Sequence, residues 1–345
     1  MDAPGDAVRA AQHGRLRREW VAVDAPDTRV GAAVEWAKPW LHRFGGDSVR
    51  APAGHAAEDG AGAVLATLAC GGFDEARRTL ARLDPDAPGC LDLVARYLAW
   101  TGDVAFIRAR RDSLRRACAT TEVVPAGLIA VAESIGDHAL AMELRRRTPA
   151  LVAIDGAPPR APAVDPAAPE GPPVTRWASL GADALAAAIA RWNRHVARAA
   201  DRADPDGEAD APDAVRTAIE VVLPLIHGML GAEPDAVRGR LQLSTWIPAD
   251  WDRLEVLRLR MGDAAVALRY DRDGARHTFR IEQHSGAIPI RLILEAALPG
   301  RRLLAARVEG TEAELDPVPA GERLRIPVQL ALDHERTLEF HVAAV

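Results

Sequence analysis

The first 235 residues repeat apolar positions at the spacing of amphipathic helices. Val30, Val34 and Leu41 recur at helical steps along one segment, and Pro39 inside it predicts a kink or the end of a first turn. Patterns of this kind predict helices over 6–21, 29–44, 57–70, 74–83, 90–101, 104–118, 122–135, 138–147, 182–203 and 212–230. We therefore expect a helical region over about 1–235.

Turns of repeated composition separate these helices. Gly72-Phe73-Asp74, Gly102-Asp103 and Gly136-Asp137 each follow an apolar helix end, which predicts a left-handed glycine and then an aspartate cap. The intervals between them fit one antiparallel helix pair each, so the pattern indicates an array of helical hairpins. Segment 149–176 differs, because its many prolines and few large apolar residues predict an extended surface linker.

After about residue 238 the apolar period changes from 3.6 to 2. Strands are predicted over 239–246, 254–261, 264–270, 275–283, 287–296, 301–308, 322–332 and 336–344. The alternation changes phase at Val256–Leu257, which predicts a β-bulge, and Pro289 and Pro327 favour edge strands. We expect an α+β protein in which 238–345 form an antiparallel β-sandwich.

Composition excludes several classes of function. The 43 basic and 49 acidic residues give a net charge of −6, which argues against nucleic-acid binding. Cys70, Cys90 and Cys118 lie in apolar helical patterns without metal-site spacing, and we expect buried free thiols. The sequence shows no signal-peptide pattern and no apolar run of membrane-spanning length, so the expected location is the cytoplasm and no membrane partner is predicted.

Two tryptophans provide the first candidate chemistry. Trp36 and Trp40 are one helical turn apart, with Glu35 and Arg43 close by in the sequence. Aromatic rings beside carboxylates commonly form platforms on which the apolar face of a sugar stacks. The alternative is that both rings pack between helices.

Carboxylates at the starts of successive helices provide the second candidate for site chemistry. His55, Glu58 and Asp59 stand at the start of the apolar helix 57–70, and Asp86 precedes the helix that begins near Cys90. Asp59 could cap its helix, or it could face a cleft and bind sugar hydroxyls. Carboxylates at the same end of successive hairpins would gather at one face of a helical ring.

Two consecutive runs carry a family resemblance: AEDGAGAVLATLACGGFDEARRTLARL and DPDAPGCLDLVARYLAWTGDVAFI. They resemble the helical part of six-hairpin glycosidases, in particular the amylo-alpha-1,6-glucosidase or glycogen-debranching type. Glu58-Asp59 stand at that family's Gly-Arg-Asp segment, Asp86-Ala87 at its Asp-Ala segment and Tyr97–Asp103 at its YxxWTGD turn.

The resemblance implies an (α/α)6 toroid and a carbohydrate ligand of the alpha-glucan type. It implies catalytic roles for Asp59 and Asp86. It implies substrate binding by five residues: Trp36, Trp40, Arg43, His55 and Glu58. About ten helices are predicted where a full toroid has twelve, so we expect an incomplete or reduced ring in which catalysis is impaired.

Two alternatives stay open. The helices could form an open solenoid of the tetratricopeptide type, or the chain could be a non-catalytic scaffold without a sugar pocket. His195 and His227 lie among apolar helix positions, so we interpret them as core histidines rather than acid–base groups. No motif predicts a metal or another cofactor.

Overall fold

The computed structural model describes residues 4–44, 56–84, 89–121, 125, 127–147, 176–202 and 211–343, without the side chains of 4–9, 56–59 and 211. Within these ranges, helices occupy the N-terminal part of the chain and β-sheets the C-terminal part. The expected α+β class is therefore confirmed. Most of the predicted linker 149–176 lies outside the described residues.

The helices of the described residues follow the predicted series closely. They are α1 (Pro4–Glu19), α2 (Thr28–Phe44), α3 (Ala56–Ala69), α4 (Phe73–Arg82), α5 (Cys90–Thr101), α6 (Val104–Ala109), α7 (Arg111–Thr120), α8 (Gly127–Ser134), α9 (His138–Arg147), α10 (Ala182–Asp201) and α11 (Ala211–Leu223). A π-helical turn, Pro224–Met229, continues α11. The single helix predicted over 104–118 is divided, because Arg110 leaves the helical conformation (φ −106°, ψ 8°) between α6 and α7.

The predicted glycine–aspartate turns hold at two of three places. Gly102 and Gly136 adopt positive φ angles of 66° and 76°, and the next residue, Asp103 or Asp137, accepts a hydrogen bond from a backbone N–H of the following helix. In the first turn the prediction is wrong by one residue. Gly71 takes the left-handed conformation (φ 89°), Gly72 is the N-cap of α4, and Asp74 lies in the first turn of α4 instead of at its cap. An added Cβ at Gly72 would meet the Trp20 ring at 2.4 Å.

The strands fall where the alternating pattern predicts them, and four short ones are added. The eight predicted strands are β3 (Arg240–Trp246), β4 (Arg253–Met261), β5 (Ala264–Asp273), β6 (Arg276–Ser285), β7 (Ile290–Pro299), β8 (Arg302–Val308), β11 (Arg323–Leu332) and β12 (Arg336–Ala343). The added strands are β1 (Ala22–Asp24), β2 (Ala232–Asp235), β9 (Thr311–Glu312) and β10 (Val318–Ala320).

Two sheets result, with strand orders β1-β4-β5-β6-β12-β8-β9 and β10-β11-β7-β3-β2. The described pairs are antiparallel except β3 with β7, which run parallel and so depart from the purely antiparallel expectation. Pro327 lies beyond the part of β11 that pairs with β10, where the strand has one neighbour, as expected for an edge. Pro289 precedes β7, which is central in its sheet, so the edge prediction for that strand is wrong.

The helices and sheets meet at a continuous junction. β1, which follows α1, pairs with β4 at the edge of the seven-stranded sheet. The predicted bulge is confirmed: the β4–β5 register shifts between Val256 and Leu259. Arg258 in this bulge donates hydrogen bonds to the carbonyls of Trp20 and Arg17 at the end of α1. Buried residues of both regions form one hydrophobic core.

No helix of the described residues combines the length and the apolar character needed to cross a membrane.

Candidate functional site

Helix α2 brings two predicted ligand residues into contact. Trp36 and Trp40 lie on one face because residues four apart are neighbours on a helix. Their ring centroids are 6.1 Å apart at an interplanar angle of 45°. Each residue is only 6% exposed, so the rings do not present the open face that sugar stacking uses, and this burial favours the packing alternative.

A guanidinium lies over each ring. The Arg202 guanidinium is 5.9 Å from the centroid of Trp36, and that of Arg43 is 5.1 Å from the centroid of Trp40. Arg202 also donates to Asp213 at 3.0 Å. We call Arg202, Trp36, Trp40 and Arg43 the Arg–Trp row. Such cation–π contacts add roughly 0.5–2 kcal/mol each, depending on their desolvation.

The Arg–Trp row contains buried donors that lack an acceptor. Among the described residues, Trp36 Nε1, Trp40 Nε1 and Arg202 Nη1 have no hydrogen-bond partner. An unsatisfied buried polar group costs about 1–3 kcal/mol. An ordered water or a ligand rich in hydroxyl or carboxylate oxygens would satisfy these groups.

The predicted acidic residues are described only in part. Glu58 and Asp59 lie in the first turn of α3, and their side chains are outside the described residues. A Cβ on the next residue, Gly60, would lie 3.9 Å from Cζ of Phe44, so this turn is next to the end of α2. His55 and Asp86 lie outside the described residues. Of the predicted site, the structure thus shows Trp36, Trp40 and Arg43 together.

A separate cleft of about 610 Å³ lies between α5, α8 and the strands β2, β3 and β7. Its apolar lining includes small residues such as Ala95, Ala99 and Gly127. An added Cβ at Gly127 would meet that of Ala95 at 2.8 Å, so glycine is what lets α8 pack closely on α5. Sequence analysis missed this cleft, because its walls come from segments far apart in the chain.

The charges on the wall of the cleft compensate one another. Arg238 lies 3.5 Å from Glu133 and 3.2 Å from Asp235, so one guanidinium connects α8 to the end of β2. Arg240 also contacts Asp235 at 3.3 Å, and Arg176 pairs with Glu233. Among the described residues that line the cleft, each carboxylate and each guanidinium therefore has a counter-charge.

Of the two histidines interpreted as core residues, His227 is buried and His195 is half-buried. His227 donates from Nδ1 to the carbonyl of Ala232 at 3.0 Å and meets the Trp100 ring edge-on at 5.8 Å. Burial, with a smaller effect of Arg96, lowers the pKa of His227 to about 4. Burial likewise lowers the pKa of His195, and nearby arginines reinforce this effect. Both rings are therefore favoured in the neutral form.

A second ionic cluster involves the only lysine. Lys38 is 1% exposed and donates to Glu35 Oε1 at 2.5 Å. Burial lowers the pKa of the Lys38 ammonium, although Glu35 opposes this.

The three cysteines are free and buried, and burial raises the pKa of the Cys70 thiol to about 12. Cys70 is therefore not a thiolate nucleophile.

A third cluster, which sequence analysis missed, surrounds Glu75 on α4. Its Oε1 lies 3.0 Å from His42 Nδ1, 3.0 Å from Arg15 Nη2 and 3.3 Å from Arg78 Nη2. Burial alone would raise the pKa of Glu75, but the contact with His42 and the nearby charges lower it to about 2. Glu75 is therefore a carboxylate at neutral pH.

Within the described residues, no group of three or more histidine, cysteine, aspartate or glutamate side chains is placed to hold a metal ion. Comparison with protein-family models finds no match to the chain, and comparison with curated proteins finds none either.

Proposed function

We propose that the chain is a carbohydrate-binding protein with a reduced α/α toroid of the six-hairpin glycosidase type, followed by a β-sandwich. The observation that carries this proposal is the set of N–H donors without a hydrogen-bond partner on Trp36, Trp40 and Arg202, the two tryptophans lying on α2, which contacts α3. Sugar hydroxyl and ring oxygens are acceptors that suit indole and guanidinium donors.

The helix contacts support a partial ring. Six helices contact one another in the spatial order α10, α2, α11, α3, α5 and α8. Of four further helices, α1 comes before these six in the chain, and α4, α7 and α9 come between them. For the sheets, the proposed sandwich is supported by strands such as β11 and β12, whose alternate residues are buried in the common core.

The proposed ligand is an oligosaccharide of the alpha-glucan type. Trp36, Trp40 and Arg43 would hold it through their N–H groups, with His55 and Glu58 completing the binding residues that the family resemblance implies. Asp59 and Asp86 would be the acid and base if the protein hydrolyses this ligand. An inverting reaction needs two carboxyl groups roughly 6.5–9.5 Å apart.

The second candidate is a scaffold that keeps the fold without a sugar pocket. The 6% exposure of both Trp36 and Trp40 favours it, because helix packing alone would bury the rings to this degree. The scaffold function predicts that no oligosaccharide binds.

Calorimetric titration with maltooligosaccharides distinguishes the two candidates. Trp36→Phe and Trp40→Phe keep an aromatic ring but remove the unpaired N–H, so each should weaken binding by about tenfold. Trp246→Phe is the matched control, because Trp246 also lies under a guanidinium, that of Arg323 at 4.0 Å, but belongs to β3.

Absence of binding to the wild type would support the scaffold and contradict the proposal. Equal weakening by all three variants would contradict the site. If the wild type hydrolyses glucosides, Asp59→Asn and Asp86→Asn should each lower kcat by at least about 10²-fold. Full activity in both variants would refute their catalytic roles.

A further inference from the structure

The cleft between α5, α8 and the strands β2, β3 and β7 has a floor made by one row of the five-stranded sheet. Gln242 on β3 is paired with Glu233 on β2 and with Ile293 on β7, and side chains of residues paired across neighbouring strands lie on the same face. All three line the cleft. The floor therefore places an amide between a carboxylate and an apolar side chain.

The helices on the other side of the cleft form an apolar wall. Ala95, Leu98 and Ala99 of α5 and Ala130 of α8 line the cleft from that side. Val237, which also lines it, is a large apolar side chain that is 45% exposed. Burial of such surface is the main source of affinity for a small ligand, and a volume of about 610 Å³ is in the range of pockets that hold drug-sized molecules.

Gln242 supplies a hydrogen-bonding group inside the cleft. The residue is 8% exposed, and its described side-chain hydrogen bonds use one N–H, which donates to Ser244 Oγ at 3.4 Å. A primary amide has two N–H donors and a carbonyl acceptor. One donor and one acceptor thus remain for a partner that presents the same pair of groups, as another amide does.

The charges around the cleft favour a neutral ligand. Each carboxylate and guanidinium among the described lining residues already has a counter-charge, so an ionic ligand would bring a charge that lacks one. The described lining residues include no aromatic side chain, so the cleft has no platform for the face of a sugar. The ring that fills the cleft therefore belongs to the ligand.

We propose that this cleft binds a small neutral molecule that combines an apolar ring system with an amide or lactam head group. The head group forms two hydrogen bonds with the Gln242 amide, and the ring packs between Ile293 and the alanines of α5 and α8. The site is separate from the Arg–Trp row, and the inference does not depend on the proposed carbohydrate function.

Three naphthalene derivatives of similar shape test the charge requirement. At about pH 7, 2-naphthamide is neutral, 2-naphthoate is an anion and 2-naphthamidine is a cation. In ligand-observed NMR titrations, the wild type should bind the amide saturably. It should bind each charged analogue at least about tenfold more weakly, because that charge is desolvated without a partner. No saturable binding of the amide, or equal binding of all three, overturns the proposal.

Two glutamines of the same sheet provide a matched pair for the head group. Gln242→Leu removes the amide in the cleft, whereas Gln329→Leu removes one on β11 that accepts a hydrogen bond from Arg291 at 2.8 Å and does not line the cleft. Gln242→Leu should weaken binding of 2-naphthamide by about tenfold, and Gln329→Leu should leave it nearly unchanged. An unchanged affinity in Gln242→Leu would refute the assigned hydrogen bonds and with them the proposal.

A second pair tests the apolar wall without removing a buried polar group. Ala130→Leu on α8 fills part of the cleft from a half-buried position, and Ala139→Leu on α9 adds the same side chain at an exposed position. Because neither alanine is fully buried, both variants should fold. Ala130→Leu should lower the affinity for 2-naphthamide by at least about tenfold and Ala139→Leu should not. Equal affinities of the two variants would show that the ligand binds elsewhere.

Discussion

His227 and His277 are held in the interior by single hydrogen bonds, and both remain without charge at neutral pH. His277 Nδ1 lies 2.8 Å from the hydroxyl of Tyr270. Burial is the main cause that lowers the pKa of each histidine from 6.5 to about 4. The unfolded chain therefore binds protons on these two rings at a pH where the folded chain does not.

This difference predicts how stability depends on pH. As the pH falls from 6.5 towards 4.5, protons bind preferentially to the unfolded state, so the free energy of unfolding should decrease. His227 contributes up to about 3 kcal/mol of this loss as the pH approaches 4. His227→Asn should flatten the profile measured by urea denaturation, and His138→Asn, at an exposed position on α9, should not. An unchanged slope in His227→Asn would contradict the prediction.

Glu75 affects a lower pH range. Its pKa in the folded protein is about 2, below the ordinary value of 4.5, so its stabilising contribution is lost as the pH falls below 4.5. The histidine effect can therefore be measured separately above pH 4.5.

Single residues also show where sequence analysis stops. The spacing of Trp36 and Trp40 predicted their shared face, but no spacing could show that both are 6% exposed, because burial depends on α10 and α11. His42 and Glu75 are far apart in the sequence, and only the tertiary fold brings His42 Nδ1 to 3.0 Å from Glu75 Oε1. This ionic cluster was therefore not predictable from a motif.

At the scale of elements, the bulge in β4 contains a strained residue, Arg258, whose side chain bonds the end of α1. Arg258 has a φ angle of 59°, which is unfavourable for a residue with a Cβ. Its guanidinium donates hydrogen bonds to two carbonyls near the end of α1, those of Trp20 at 3.0 Å and Arg17 at 2.9 Å. Arg17 lies in the last turn of α1 and Trp20 follows the helix, so their carbonyls lie beyond the reach of the helix's own N–H groups.

Two variants separate the strain from the hydrogen bonds. Arg258→Ala should lower the free energy of unfolding by about 1–3 kcal/mol, because both hydrogen bonds are lost and the strain remains. Arg258→Gly should be about 1 kcal/mol more stable than Arg258→Ala, because glycine adopts this conformation without cost to a Cβ. Urea denaturation measures both. Equal stability of the two variants would show that the backbone is not strained.

The phase change at Val256–Leu257 was visible in the sequence, because one extra residue in an alternating strand moves every later apolar position to the other face. By contrast, β1 and β2 were not predicted. They have three and four residues, too few to show a period, and form only because β4 and β3 lie beside them. The parallel pairing of β3 with β7 is equally a product of packing.

On the scale of the whole molecule, the helical and sheet regions share backbone hydrogen bonds as well as a core. The N–H of Gly262, in the turn after β4, donates to the carbonyl of Trp100 at 2.8 Å, and Arg260 donates to that of Gly71 at 3.1 Å. Together with the pairing of β1 with β4, these contacts predict that neither region unfolds alone.

Calorimetric unfolding should therefore show one transition whose measured enthalpy equals the van't Hoff enthalpy. Far-ultraviolet circular dichroism and tryptophan fluorescence should give coincident curves, since seven of the eight tryptophans belong to the shared core. Two resolved transitions would show that the regions are separate cooperative units.

The burial of Lys38 has a practical consequence for observing this junction. Forty-two other basic side chains are arginines, so Lys38 supplies the only side-chain amine, and it is 1% exposed in the folded state. An acylating reagent can modify that amine only after local opening between α2 and the end of α3. The rate at which the peptide that contains Lys38 gains the mass of the acyl group therefore measures how often this part of the molecule opens. No label has to be introduced into the protein.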